Sequence, residues 1–341
     1  MIRSRTHRLR QGYPLSLSLA AFGPLLLAGC SGPQSALAPA GRESHQLATL
    51  FWWMLTGSAV ICAGMVALTW VAVRSQPEAR WAQTYIIGGG VVLPVAVLTG
   101  LLIFGLAQLP QLLAPAPEGS LRITVSGEQW WWRIHYRPPG EEAVELANEI
   151  RLPVGEPVQF ELVSPDVIHA FWIPSLGGKI DMIPGRQNRL TLHPTQTGTF
   201  RGVCAEYCGT SHALMAFPVV VMEREAFAAW LEDQRRPAVP NTEATEADEL
   251  IVRGQHLFQT TGCGACHTIR GTEADGEVGP DLTHVGSRLS LGAGVLGNER
   301  EDFIRWIAST DQVKPGVLMP HFGMLPPDEL EAVAAYLDSL P

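Results

Sequence analysis

Residues 204–215 read CAEYCGTSHALM and place two thiols, an imidazole, a thioether and a carboxylate within one loop's length of chain. Thiolate and thioether sulfurs select soft metals, and imidazole suits copper or zinc. A single blue-copper ion takes one Cys, two His and a weak axial Met. Cys204, Cys208, His212 and Met215 therefore supply one thiolate too many for one such ion. Two copper ions bridged by the two thiolates solve the count, each holding both sulfurs and one His. The second imidazole comes from His169 in the upstream SPDVIHAFW, while Met215 and the backbone carbonyl of Glu206 complete the weak positions. A Cys2His2 zinc site is the competing reading, and it leaves Met215 and Glu206 idle.

A second cluster, CGACH at residues 263–267, is the attachment signature of a c-type haem. Cys263 and Cys266 form thioethers to the vinyl groups and His267 binds the iron from one side. A thioredoxin-like or half-zinc reading of the CxxC finds neither a βαβ pattern nor a second metal pair to support it. Met/His ligation raises the potential as electron carriers need. The stretch VLMPHFGMLPP offers Met319 and Met324, with His321 as a weaker competitor. Met319, directly before Pro320, occupies the place that small c-type cytochromes give the axial Met. The remaining cysteines, Cys30 and Cys62, stand apart, so the pattern is one of metal and haem sites rather than a disulfide framework.

These groups must be positioned by a chain of 341 residues, with a net charge of −9 and a positive mean hydropathy. The charge is uneven: residues 1–117 sum to +5 and residues 248–341 to −8. Residues 1–29 have the basic start and apolar centre of a signal peptide. Their end, Leu27-Ala28-Gly29-Cys30, resembles a lipoprotein box, which implies cleavage before Cys30 and lipid on its sulfur; ordinary cleavage, or none, is the alternative. Two apolar runs, residues 47–73 and 82–110, each exceed the roughly 20 residues needed to cross a bilayer core. Arg74 and Arg80 between them put the hairpin turn in the cytoplasm and the rest of the chain outside. Residues 120–232 change to short β-branched and aromatic runs separated by turn signals, which predicts a Greek-key sandwich. Residues 233–247 read as a semi-flexible linker. Residues 248–341 form a helical haem module, opened by a face at Leu250, Gly254, Leu257 and Phe258 and closed by a helix starting near Pro327.

The patterns CxExCGxxHxxM and DVIHxFWxPxLGxKxDxxPGR, as they stand here, resemble subunit II of haem–copper cytochrome c oxidases, and the fused haem module is similar to the caa3 type. The resemblance implies a multi-domain membrane protein: a two-helix transmembrane hairpin, an all-β cupredoxin-like sandwich and an all-α class I cytochrome c domain. It implies a binuclear copper centre (CuA) on His169, Cys204, Glu206, Cys208, His212 and Met215. The Glu206 carboxylate would also reach a magnesium ion shared with subunit I. In GEQWWWRIHY it makes Trp130 the exposed indole through which electrons enter, against the plainer reading that one or two of Trp130, Trp131 and Trp132 fill the core. It assigns no firm role to Glu78, the one charged candidate for a proton path.

The function implied is electron transfer from haem c to CuA and on to a catalytic subunit that reduces oxygen to water. The chain would thus be part of an oxidoreductase and translocase without itself being the oxygen site. Expected partners are subunits I and III, with an external cytochrome c or quinol–cytochrome c reductase as donor, and no nucleic acid. The expected location is the bacterial inner membrane, with both metal domains on the periplasmic face. The alternatives are the equivalent subunit of a nitric oxide reductase and a membrane-anchored copper or redox-binding protein without an enzyme partner. The acidic haem module is expected to meet Arg133 and Arg137 at the sandwich edge, where tethering at about millimolar effective concentration lets weak docking suffice.

Overall fold

The computed structural model describes residues 31–74, 79–238 and 246–341. Cys30 and the signal region, Glu78 and residues 239–245 of the linker lie outside the described residues. Helix α1 (Arg42–Arg74) is 33 residues long, with apolar side chains exposed all round. The partner span runs through α2 (Ala79–Thr84), a π-helical stretch Tyr85–Val92 and α3 (Leu93–Leu112). The π register, with Leu93 N–H donating to Gly88 O, precedes Pro94, which has no N–H to continue an α ladder. Both spans are long and apolar enough to cross a membrane.

The sandwich follows as ten strands: β1 (Leu121–Glu128), β2 (Trp131–Arg137), β3 (Val144–Ala147), β4 (Ile150–Pro153), β5 (Val158–Val163), β6 (His169–Trp172), β7 (Ile180–Met182), β8 (Asn188–Leu192), β9 (Gly198–Cys204) and β10 (Ala216–Met222). They form two five-stranded sheets, ordered β3-β2-β1-β5-β8 and β4-β10-β9-β6-β7. The β1–β5 and β4–β10 pairs are parallel, each joining strands that are not consecutive in the chain, while the other pairs are antiparallel. Period-2 patterning decides the faces. In β2, Trp132, Ile134 and Tyr136 are buried while Trp131, Arg133 and His135 face outward. Trp132 packs edge-on against Phe171 and Phe217 at centroid distances of 6.0 and 5.0 Å, and Phe171 stacks on Phe217 at 5.2 Å. Each such pair contributes about 0.5–1.5 kcal/mol beyond its buried area. This aromatic plug lies directly beneath the strand ends that carry the copper-type ligands. Helix α4 (Arg224–Arg235) closes the sandwich with Phe227 and Leu231.

The start of α1 and the residues just before it are strapped to the sandwich. Ala40 N–H donates to Ser175 O at 2.7 Å and Thr195 N–H to Ala40 O at 2.7 Å. The buried Glu43 carboxylate accepts from His193 N–H at 2.9 Å and lies 2.6 Å from His193 Nδ1. The apolar hairpin therefore leaves the sandwich at a set point rather than from a loose stalk.

The haem module consists of α5 (Glu246–Thr260), α6 (Arg300–Ala308) and α7 (Pro327–Asp338) with long connecting loops. Helices α5 and α7 cross at Gly254, where a Cβ would overlap the Ala332 carbonyl. Phe258 and Tyr336 meet beside the crossing at 5.9 Å. Gly254→Ala should therefore cost about 1–3 kcal/mol through overpacking. Thermal unfolding followed in the haem band should show a lower Tm for this module, while the sandwich transition stays in place.

Candidate metal centre and haem cleft

The copper-type loop joins β9 to β10, so its first thiol sits at the end of a strand and its thioether at the start of the next. Cys204 pairs in register with Phe171 of β6, and His169 opens that same strand, which brings residues 35 apart in sequence together. The two sulfurs are 3.7 Å apart and buried. His169 Nδ1 lies 3.8 Å from Cys204 Sγ, and His212 Nδ1 lies 3.6 Å from Cys208 Sγ. Met215 Sδ is 3.9 Å from Cys208 Sγ, and Glu206 O is 3.2 Å from Cys204 Sγ. All six residues singled out in the sequence thus converge around one sulfur pair. Among the described residues, His169, Cys204 and Cys208 form a cluster tight enough for one metal ion. The donor set, soft sulfur plus imidazole with weak thioether and carbonyl neighbours, fits copper.

Electrostatics agree with a site built for cations. The hydrogen bond between the sulfurs favours ionisation of one of them: it holds Cys204 far below the ordinary thiol range and pushes Cys208 above it. Burial works against a charged His169, but Cys204 and Asp166 together raise its pKa. Asp166 reaches His169 Nε2 at 2.9 Å and accepts Gln129 N–H at 2.7 Å, so one carboxylate orients the imidazole and the turn before Trp130. Burial works against the Asp166 charge too, yet the Val167 N–H and His169 hold its pKa below the usual range. The Glu206 side chain points elsewhere and meets Lys179 Nζ at 3.3 Å.

Trp130 is 7 % exposed, which corrects the expectation of an exposed indole. It occupies the turn between β1 and β2, and the haem module covers it. Its Nε1–H donates to Cys208 O at 3.1 Å, and Gln129 Nε2 donates to the same carbonyl at 2.7 Å. Trp130 and Trp132 both belong to the buried core cluster of the sandwich, Trp132 the more deeply.

The haem module contains an apolar cleft of about 230 Å³ whose lining includes Cys263, Cys266, His267 and Met319, and also Trp130 and Trp131 of the sandwich. His267 Nδ1–H donates to Pro280 O at 2.8 Å, leaving Nε2 as the lone-pair nitrogen. Burial lowers the His267 pKa, which keeps the imidazole neutral and able to ligate. The Met319 backbone is held by Thr310 Oγ1–H at 3.0 Å. Met324 is 70 % exposed and His321 is exposed, and neither lines the cleft. Two thiols, an imidazole and a thioether around an apolar cleft are the donor set that a covalently held haem requires.

The haem module does meet the expected edge at Arg133, but charge attraction does not hold it there. The Arg133 charge is taken up by Glu128 at 2.9 Å and Glu145 at 2.6 Å, and only one N–H reaches the haem module, at Glu277 O, 2.8 Å away. Arg137 lies 3.8 Å from Glu161 of its own sheet. The modules are joined further by bonds that involve backbone: Ala216 N–H to Ala293 O at 3.0 Å, Ser211 Oγ–H to Pro315 O at 2.6 Å, and Leu289 N–H to the Glu149 carboxylate at 2.7 Å.

A sandwich bearing a sulfur pair, joined to a small helical module with a CxxCH cleft and to two long apolar helices, defines the class of membrane-anchored redox proteins. Residues 139–223 match the family described as cytochrome C oxidase subunit II, periplasmic domain, and residues 251–341 match the family described as cytochrome c. Cytochrome c oxidase subunit 2 of Alkalihalophilus pseudofirmus is 37% identical over 253 residues, covering 73% of this chain and 69% of that protein. The Bacillus subtilis protein of the same name is 29% identical and covers 94% of this chain and 96% of its own length. Among solved structures, the periplasmic domain of subunit II of cytochrome oxidase of Bradyrhizobium japonicum is 35% identical with a TM-score of 0.33, covering 35% of this chain and 96% of that one. The chain belongs to the cytochrome c oxidase subunit 2 family, in a form that carries its own cytochrome c domain.

Sequence reasoning missed Asp166, Gln129, Ser211 and Lys314. Asp166 lies three residues before His169 in DVIH, a spacing that could have pointed to a carboxylate–imidazole pair. Asp166→Asn should lower copper affinity about 10–100-fold, the usual cost of losing a partner that orients a ligand. Competition with a copper chelator on the intact chain measures this, and His169→Ala sets the limit for losing the imidazole itself.

Proposed function

We propose that this chain takes electrons into a haem c held by Cys263, Cys266, His267 and Met319 and passes them to a binuclear copper centre held by His169, Cys204, Glu206 O, Cys208, His212 and Met215. From there they go to a haem–copper subunit that reduces oxygen to water. When bound, both groups exchange single electrons with little ligand rearrangement, and the protein's part is to fix distance, exclude water and tune potential.

The observation that carries this reading is the placement of Trp130. The indole lines the haem cleft on one side and hydrogen-bonds the carbonyl of Cys208 on the other. It fills the gap between the two donor sets and keeps water out of it. The buried aromatic plug below the loop, with Trp132, Phe171 and Phe217, holds the ligand-bearing strand ends rigid. Rigid ends mean that little reorganisation accompanies a change of charge.

The outer side of the copper loop presents Tyr207, 76 % exposed, with Ile168 exposed and Glu206 half-buried. This apolar and acidic face is the one offered to the catalytic subunit, with the α1–α3 hairpin crossing the bacterial inner membrane beside it and subunit III completing the complex. A magnesium ion on the Glu206 carboxylate would have to displace the Lys179 ion pair. An external cytochrome c, or a quinol–cytochrome c reductase, would supply the haem module, whose charge of −8 favours a donor with a basic face.

Gentle purification followed by metal and haem analysis tests the reading. The expected result is two coppers and one haem c per chain, co-purifying with oxygen consumption that a reduced cytochrome c drives. One zinc per chain, or purification without any large membrane partner, contradicts it.

A further inference from the structure

The sequence contains two lysines against 22 arginines, and one of the two is buried between the modules. Lys314 is 1 % exposed and lies on the loop that leads to Met319. Its Nζ donates to Gly292 O of its own module at 2.6 Å and to Trp130 O of the sandwich at 2.6 Å. Among the described residues no carboxylate lies within ion-pair distance of it. Burying an amine without a counter-charge is costly, and an apolar side chain would fill the same space at lower cost. What an apolar side chain cannot supply is two directed hydrogen bonds to carbonyls of different modules.

The neighbours of Lys314 extend the same contact. Pro315 O accepts the hydroxyl of Ser211, which belongs to the copper-type loop. Gly316 lies against the Trp130 ring so closely that a Cβ would come within 2.9 Å of it. Trp130 in turn bonds Cys208 O. One short loop of the haem module thus grips the Trp130 turn and the copper loop together.

Resting on the electron-transfer reading above, we propose that Lys314 is a positioning residue. By bonding Trp130 O and Gly292 O at once, it fixes the loop that carries Met319 against the Trp130–Cys208 segment. It thereby sets the rate of transfer between the two centres while ligating neither. An arrangement held by charge attraction would tolerate many orientations; two short bonds to fixed carbonyls select one.

With only two lysines, acylation of the intact chain by an amine-reactive ester, read by peptide mass spectrometry, reports this contact directly. Lys314 should react about 100-fold more slowly in the native chain than after denaturation, because only opening of the interface exposes it. Equal rates overturn the proposal. In the purified complex, Lys314→Met should slow haem-to-copper transfer after rapid haem reduction about tenfold, since two buried carbonyls lose their donor. The spectra of both centres and the rate of haem reduction by a small reductant should stay unchanged. Lys314→Gln, which keeps an N–H donor, should fall between. Wild-type transfer in Lys314→Met also overturns the proposal. A wild-type chain lacking the haem or copper spectrum would instead overturn the functional reading on which it rests.

Discussion

Two sulfur atoms held 3.7 Å apart away from water are the constraint around which the rest of this protein is arranged. If both were ionised with no cation present, their repulsion at that distance would be about 4 kcal/mol at an effective dielectric near 20. The fold resolves the conflict only in part, by favouring the thiolate at Cys204 and the protonated form at Cys208. In the proposed function metal cations would resolve it fully, with the surrounding imidazoles, thioether and carbonyl as their ligands. The sandwich brings this about with strand ends. Strands β6, β9 and β10 all terminate or begin at the site, and the Trp132–Phe171–Phe217 plug stops them from shifting.

The second constraint is distance between redox modules. A tether alone would raise local concentration and leave orientation free. Here the haem module is seated by hydrogen bonds to backbone carbonyls and amides, and the Arg133 charge is spent within its own sheet. The consequence is a wall of the haem cleft built by the sandwich itself, through Trp130 and Trp131. The strap from Ala40 to Glu43 does the corresponding job towards the apolar hairpin, so three parts of the chain are fixed to one frame.

The metal chemistry was legible in sequence because it depends on residue type and spacing. CAEYCGTSHALM and CGACH carry soft ligands at intervals that few other roles require, and the period-2 runs named the sandwich that holds the first of them. His169 could be named although it stands far upstream, since a second imidazole was missing from the count. The contacts between modules were not legible. They run through backbone carbonyls of Trp130, Gly292, Ala293 and Pro315, and carbonyls carry no sequence signature. Charge counting suggested Arg133 and Arg137 because it could not see Glu128 and Glu145 beside Arg133. The burial of Trp130 is not legible in its own stretch of sequence, because the surface that covers it comes from residues about 180 positions later.

The central claim is that the paired thiolates are closed by two metal ions acting as one redox unit. Electron paramagnetic resonance of the oxidised, copper-loaded full chain tests this most directly. The account predicts a single unpaired electron whose hyperfine coupling is shared equally between two copper nuclei. A signal coupled to one copper nucleus, or a metal-loaded chain with no copper signal at all, would contradict it.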